Sequence, residues 1–144
     1  MEADDRQADV RRMDVFFYGL FMDEALLREK GIHPQNRRLA FVENFSLVIG
    51  DRASLVPSKG STVFGLLFSL TQNEVDDLYS DDSVSAYRSE AVFAKLTDGN
   101  IVPALCFNLP TPPTTDKRNL EYVAKLKELA SRIGLPPNYV SSIQ

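Results

Sequence analysis

Asp14-Val15-Phe16-Phe17-Tyr18-Gly19-Leu20-Phe21 decides how the chain is read. Its first five residues are a short, aromatic-rich apolar run, the pattern of a buried strand, and Gly19 stops it. A short helix is expected over 22–30. Asp23 and Glu24 near its start and Arg28 and Lys30 near its end suit the helix dipole, and Gly31 is placed to terminate it. Strand-like pieces then follow at 37–42, 45–49 and 53–56, broken at Glu43-Asn44 and Gly50-Asp51. Pro57-Ser58-Lys59-Gly60 reads as a turn before a near-continuous apolar strand over 62–70. Thr71-Gln72-Asn73-Glu74 is a capping-box pattern, and Val75, Leu78 and Tyr79 supply the apolar face of the helix it opens. A hairpin over 88–96 and 101–108 turns at Asp98-Gly99-Asn100. Pro110, Pro112 and Pro113 stiffen a linker to a last helix over 119–133, which Gly134, Pro136 and Pro137 end. One more turn is expected over 138–143. Strands dominate and no regular βα alternation occurs. The expected fold class is therefore α+β: a mostly antiparallel β-barrel or sheet core with peripheral helices.

Composition narrows the function. The chain has 144 residues, 44% of them hydrophobic, enough for one core in a single domain over 14–144. Residues 1–13 carry seven charges and few apolar side chains, which reads as a solvated, flexible leader rather than a signal peptide. The net charge of −4 argues against nucleic acid, because phosphate binding needs clustered Lys and Arg. No apolar run approaches the roughly 20 residues of a membrane-spanning helix. Cys106 is the one cysteine and His33 the one histidine, so no intrachain disulfide and no metal site is expected. A reducing, cytoplasmic setting fits. Cys106 reads as a small core residue and His33 as a surface loop residue.

Tyr18-Gly19-Leu20-Phe21, ending a strand and entering a helix, resembles the Tyr-Gly-Ser-Asn or Tyr-Gly-Thr-Leu loop of the γ-glutamylcyclotransferase-like family, which includes the avirulence-induced plant proteins. Val63-Phe64-Gly65-Leu66-Leu67-Phe68-Ser69-Leu70-Thr71, with Glu74 and Leu78 beyond it, is similar to a second family strand and the start of its next helix. The acidic segment Ser80-Asp81-Asp82, then Tyr87, then Ala91-Val92-Phe93 continue the resemblance in order and spacing, over about residues 15–108.

The resemblance implies a cofactor-independent chemistry. In a γ-glutamyl cyclotransferase the substrate's own α-amine attacks its γ-carbonyl, closing a 5-oxoproline ring and expelling an amine. The protein then has to supply orientation and one acid–base group. By that resemblance the partner is a small molecule with a γ-glutamyl or similar carboxylated group. Asp81 falls where the family has its catalytic Glu, one C–C bond (roughly 1.5 Å) shorter, with Asp82 as its neighbour. Tyr18, Gly19, Leu20 and Phe21 would hold a substrate carboxylate through backbone amides, and Tyr87 and Phe107 would line the pocket. Phe107 stands where some cyclotransferases have a Tyr. Structural alternatives stand beside each: an ordinary strand–helix turn at 18–21, a solvated helix end at 80–83 where Asp is common, and core packing for Tyr87. Arg52 reads as a surface residue, with pairing to Asp51 or to a ligand carboxylate as the alternatives. A non-catalytic member that binds a small amino-acid-like metabolite is the alternative function.

Overall fold

A computed structural model of the chain describes residues 11–144; residues 1–10 of the expected leader lie outside them. The elements run β1 (Arg12–Phe17), a 3-10 turn (Leu20–Met22), α1 (Glu24–Glu29), β2 (Gln35–Ile49), β3 (Ala53–Thr71), α2 (Gln72–Leu78), β4 (Arg88–Leu96), β5 (Ile101–Asn108), α3 (Leu120–Arg132) and α4 (Pro137–Ser142). The five strands close into a barrel in the order β1-β3-β2-β4-β5. Every neighbouring pair is antiparallel except β1 and β5, which meet in parallel at Val15 and Leu105. The α+β barrel with peripheral helices is thus the observed architecture.

Local signals behave as their chemistry requires. Thr71 and Glu74 form the reciprocal capping box. Glu74 reaches further, and its second carboxylate oxygen accepts from the His33 amide at 2.7 Å. Asn119 caps α3 by accepting from the Tyr122 amide at 3.0 Å. Gly31 and Gly134 follow their helices at φ +82° and +91°, in the left-handed region that glycine occupies without a Cβ penalty.

Three expectations need correction. The strand pieces at 37–42 and 45–49 are one strand, β2, bent at Asn44, whose φ is 67°. Pro57-Ser58-Lys59-Gly60 is not a chain reversal but part of β3. Glu43 pairs with Thr62 and Phe45 with Pro57, so residues 58–61 stand opposite Asn44 alone. The Gly60 amide donates to Asn44 Oδ1 at 3.0 Å, which satisfies a donor that the bulge removes from the ladder. Such a bulge lets two long strands curl far enough to close a small barrel. β1 also begins at Arg12, two residues earlier than the pattern suggested, with Arg12 and Met13 paired to Thr71 and Leu70.

Leu66 and Leu67 are adjacent on β3, hence on opposite faces, and both are fully buried. One face therefore fills the barrel and the other is covered from outside, where α3 contributes Leu126, Leu129 and Ala130 to the same core. Gly65 sits where two strands press together. A Cβ there would lie 2.2 Å from the Phe17 carbonyl oxygen and 2.9 Å from the Phe16 ring. Backbone on one side and a core aromatic on the other leave nothing that can yield cheaply. Gly65→Ala is expected to destabilise the fold by about 1–3 kcal/mol, measured as a lowered urea midpoint at unchanged slope. A midpoint equal to that of the parent would show that β1 and β3 do not approach this closely.

Candidate functional site

Parallel pairing of β1 with β5 brings the C-terminal ends of both strands to one end of the barrel, and a cavity of about 420 Å3 opens there. Its floor is Phe16, Phe17 and Tyr18 from β1 and the residue after it, all buried. Gly19, Leu20 and Phe21 of the strand-to-helix turn form one wall. Tyr79 at the end of α2, Tyr87 before β4 and Phe107 of β5 form another, and Tyr122 of α3 closes the back. Exposed Lys30, Asp51 and Arg52 stand at the mouth.

Six of the seven residues picked from the sequence line this cavity: Tyr18, Gly19, Leu20, Phe21, Tyr87 and Phe107. Two of the hydroxyls hold walls in place. Tyr18 donates to the Phe107 carbonyl at 2.7 Å, tying the ends of β1 and β5, and Tyr87 donates to the Ala53 carbonyl. The strand-to-helix turn is tight. The Met22 amide donates to the Gly19 carbonyl at 3.0 Å, the Leu20 amide faces the Tyr122 hydroxyl, and the Phe21 amide has no acceptor among the described residues. A Cβ at Gly19 would lie 2.4 Å from the Tyr122 hydroxyl oxygen, so a larger residue there would have to displace that side chain.

Asp81 is the seventh, and it is not among the residues that line the cavity. Its carboxylate is exposed, lies outside the cavity lining, and accepts from the Ser83 amide at 2.9 Å and the Ser83 hydroxyl at 2.7 Å. Those two bonds hold its carboxyl below the ordinary carboxylate range, the opposite of the partial burial that a general base for an ammonium proton needs. The physical reason is local: Asp two residues before Ser closes an Asx turn on its own backbone. What enters the cavity wall is Ser83, the residue that Asp81 holds. Asp82 is also exposed and outside the lining.

The sequence reading missed the residue at the centre of the site. Tyr79, taken as part of a helix's apolar face, stacks on Phe107 at 4.1 Å with 16° between the rings. It meets Phe21 edge-on at 5.9 Å and Tyr87 at 6.2 Å. Burial raises its phenol well above the ordinary range, with no hydrogen bond among the causes. Its hydroxyl is not sealed in protein either: the one sealed, unpartnered hydroxyl among the described residues is that of Tyr139. Tyr79 lines the cavity, and its hydroxyl has no hydrogen-bond partner among the described residues. Arg52 does not pair with Asp51; its guanidinium lies 6.0 Å from the centre of the Tyr87 ring, and it joins no ion pair among the described residues. Cys106 is fully buried away from the lining, and burial pushes its thiol up to about 12, as for an inert core cysteine.

No family model and no curated protein matches the sequence. Solved structures match the fold. A γ-glutamyl cyclotransferase superposes with a TM-score of 0.78 at 16% identity, covering 93% of this chain and 89% of its own. An uncharacterized human protein, loc79017, gives 0.72 at 18% identity over 92% of this chain and 88% of its own. YkqA from Bacillus subtilis gives 0.73 at 19% identity, with 97% of this chain aligned to 55% of that longer one. The resemblance that the sequence carries is therefore one of fold: this chain has the γ-glutamylcyclotransferase-like barrel. No helix among the described residues is long and apolar enough to cross a membrane.

Burial raises the phenols of Tyr18, Tyr79, Tyr87, Tyr122 and Tyr139, with Tyr122 pushed up to about 12; these are the five tyrosines of the chain. Each then keeps its proton in the folded state at a pH where the unfolded chain, at about 10, has lost it. The unfolded state binds fewer protons there, so stability falls as pH rises. Stability should be unaffected by these groups below about pH 10 and should decline from there through about 12. Spectrophotometric titration is expected to show almost no tyrosinate at pH 10 in the folded protein, with a steep rise on unfolding. Half-ionised tyrosine in the folded protein at pH 10 would contradict the burial of the site.

Proposed function

We propose that the chain binds a small, amino-acid-like carboxylated molecule in the cavity at the open end of the barrel. The observation that carries this reading is the placing of Arg52, which joins no ion pair among the described residues, at the mouth of an aromatic-lined cavity whose Tyr79 hydroxyl has no hydrogen-bond partner among the described residues. Lys30 at the mouth and the Phe21 amide add to the attraction for an anionic group. The cavity volume falls within the roughly 300–1,000 Å3 typical of small-molecule sites.

Cyclotransferase turnover is the second reading, favoured by the fold shared with a γ-glutamyl cyclotransferase. In that chemistry the substrate's amine nitrogen bonds to its γ-carbonyl carbon, the γ-amide C–N bond breaks, and the released amine takes up a proton. No protein nucleophile is needed, and an acid–base group is. Among the described residues Asp51 is the one carboxylate in the cavity lining, exposed at the mouth, and Asp81 is bound to its own turn. That distribution favours binding over turnover.

Calorimetry with γ-glutamyl amino acids, run beside an assay for 5-oxoproline, tests the pair. Binding without 5-oxoproline is expected. Arg52→Gln should weaken binding by roughly tenfold, the worth of one charge-assisted hydrogen bond, whereas Asp81→Asn should leave it unchanged. Release of 5-oxoproline that disappears in Asp51→Asn or Asp81→Asn would replace this reading with the enzymatic one.

A further inference from the structure

We infer that the ligand of this cavity carries an aromatic ring as well as a carboxylate, and beside them an amide or ketone carbonyl that accepts a hydrogen bond from Tyr79. The inference rests on the binding reading above and specifies its ligand class. Three features of the cavity converge on it. First, the ring of Tyr79 stacks on Phe107 at 4.1 Å while Phe21 stands edge-on to both Tyr79 and Phe17, at 5.9 and 6.2 Å. A polar aliphatic ligand placed against these rings would lose hydration without gaining partners. A planar ring instead extends the existing offset-stacked and edge-to-face contacts.

Second, the Tyr79 hydroxyl has no hydrogen-bond partner among the described residues, although Tyr79 is packed among Phe21, Tyr87 and Phe107. A donor in so apolar a setting is satisfied only by what enters the cavity, and an amide or ketone oxygen is the acceptor that fits beside a ring. Third, charge is confined to the mouth, at Lys30, Asp51 and Arg52. The carboxylate is therefore held at the solvent side and the ring inside. Tyr18 and Tyr87 do not compete for the carbonyl, because both donate to backbone oxygens.

Isothermal calorimetry on the full chain with two acids that differ only in the ring, N-acetyl-L-phenylalanine and N-acetyl-L-alanine, tests the inference. The aromatic acid is expected to bind roughly tenfold or more tightly, as burial of a phenyl group implies. N-acetyl-L-phenylalanine amide, which lacks the carboxylate, should bind more weakly than the acid. Tyr79→Phe keeps the ring stack and removes the hydroxyl, and should weaken the aromatic acid about threefold or more at an unchanged melting temperature. Equal affinity for the two N-acetyl acids would overturn the aromatic requirement while leaving the binding reading intact. Absence of binding by either acid, and by γ-glutamyl amino acids, would overturn that reading as well. Unchanged affinity in Tyr79→Phe would remove the hydroxyl from recognition.

Discussion

β1 and β5 close the barrel in parallel, and the site depends on that closure. Two antiparallel strands would send their C-terminal ends to opposite ends of the sheet. Parallel pairing at Val15 and Leu105 sends both to the same end, so Tyr18 and Phe107 arrive together although 88 positions lie between them in the chain. The Tyr18 hydroxyl then bonds the Phe107 carbonyl at 2.7 Å, and Phe107 in turn offers the face on which Tyr79 stacks. The close approach at Gly65, under the Phe17 carbonyl, belongs to the same constraint, because β1 has to lie tightly on β3 for its end to meet β5.

The resulting cavity separates two kinds of physics. Inside, aromatic rings touch one another and the polar atoms of Tyr18 and Tyr87 are consumed by backbone carbonyls. At the mouth, Lys30, Asp51 and Arg52 remain in water, where their charges cost little to maintain and attract an anion only modestly until desolvated. Selectivity for what enters is therefore expected from the floor and orientation from the mouth. The turn from Gly50 to Arg52 is itself held from two sides: the Asn119 amide donates to the Gly50 carbonyl at 2.8 Å, and the proline-rich linker passes so close to Gly50 that a Cβ would lie 2.2 Å from the Thr114 carbonyl oxygen. The linker thus fixes the height of Arg52 over the cavity.

Sequence periodicity was most informative where structure is local. The capping box at Thr71 and Glu74, the caps and glycine stops of α1 and α3, and the hairpin at Asp98-Gly99-Asn100 all depend on residues within a few positions of each other. Pro57-Ser58-Lys59-Gly60 misled for a related reason. Its turn-forming residues do depart from the ladder, but β2 continues opposite them and carries the strand through as a bulge. Asp81 is a different case. The resemblance pointed to it, and in the structure its carboxylate is held by the Ser83 amide and hydroxyl and lies outside the cavity lining.

By itself the sequence determined the strand-rich order, the α+β class and the approximate helix boundaries, and its family resemblance pointed to six residues, from Tyr18 to Phe107, that lie in the cavity lining. Those follow from hydrophobic period, from turn and cap chemistry, and from a strand–glycine–helix junction whose resemblance spans most of the chain. Only the tertiary structure decided that Tyr79 lines the cavity, that Arg52 forms no ion pair with Asp51, and that Asp81 is not in the lining. Each of these depends on which way a side chain turns at the end of an element, where period no longer constrains it and the choice falls to contacts with strands far away in the chain.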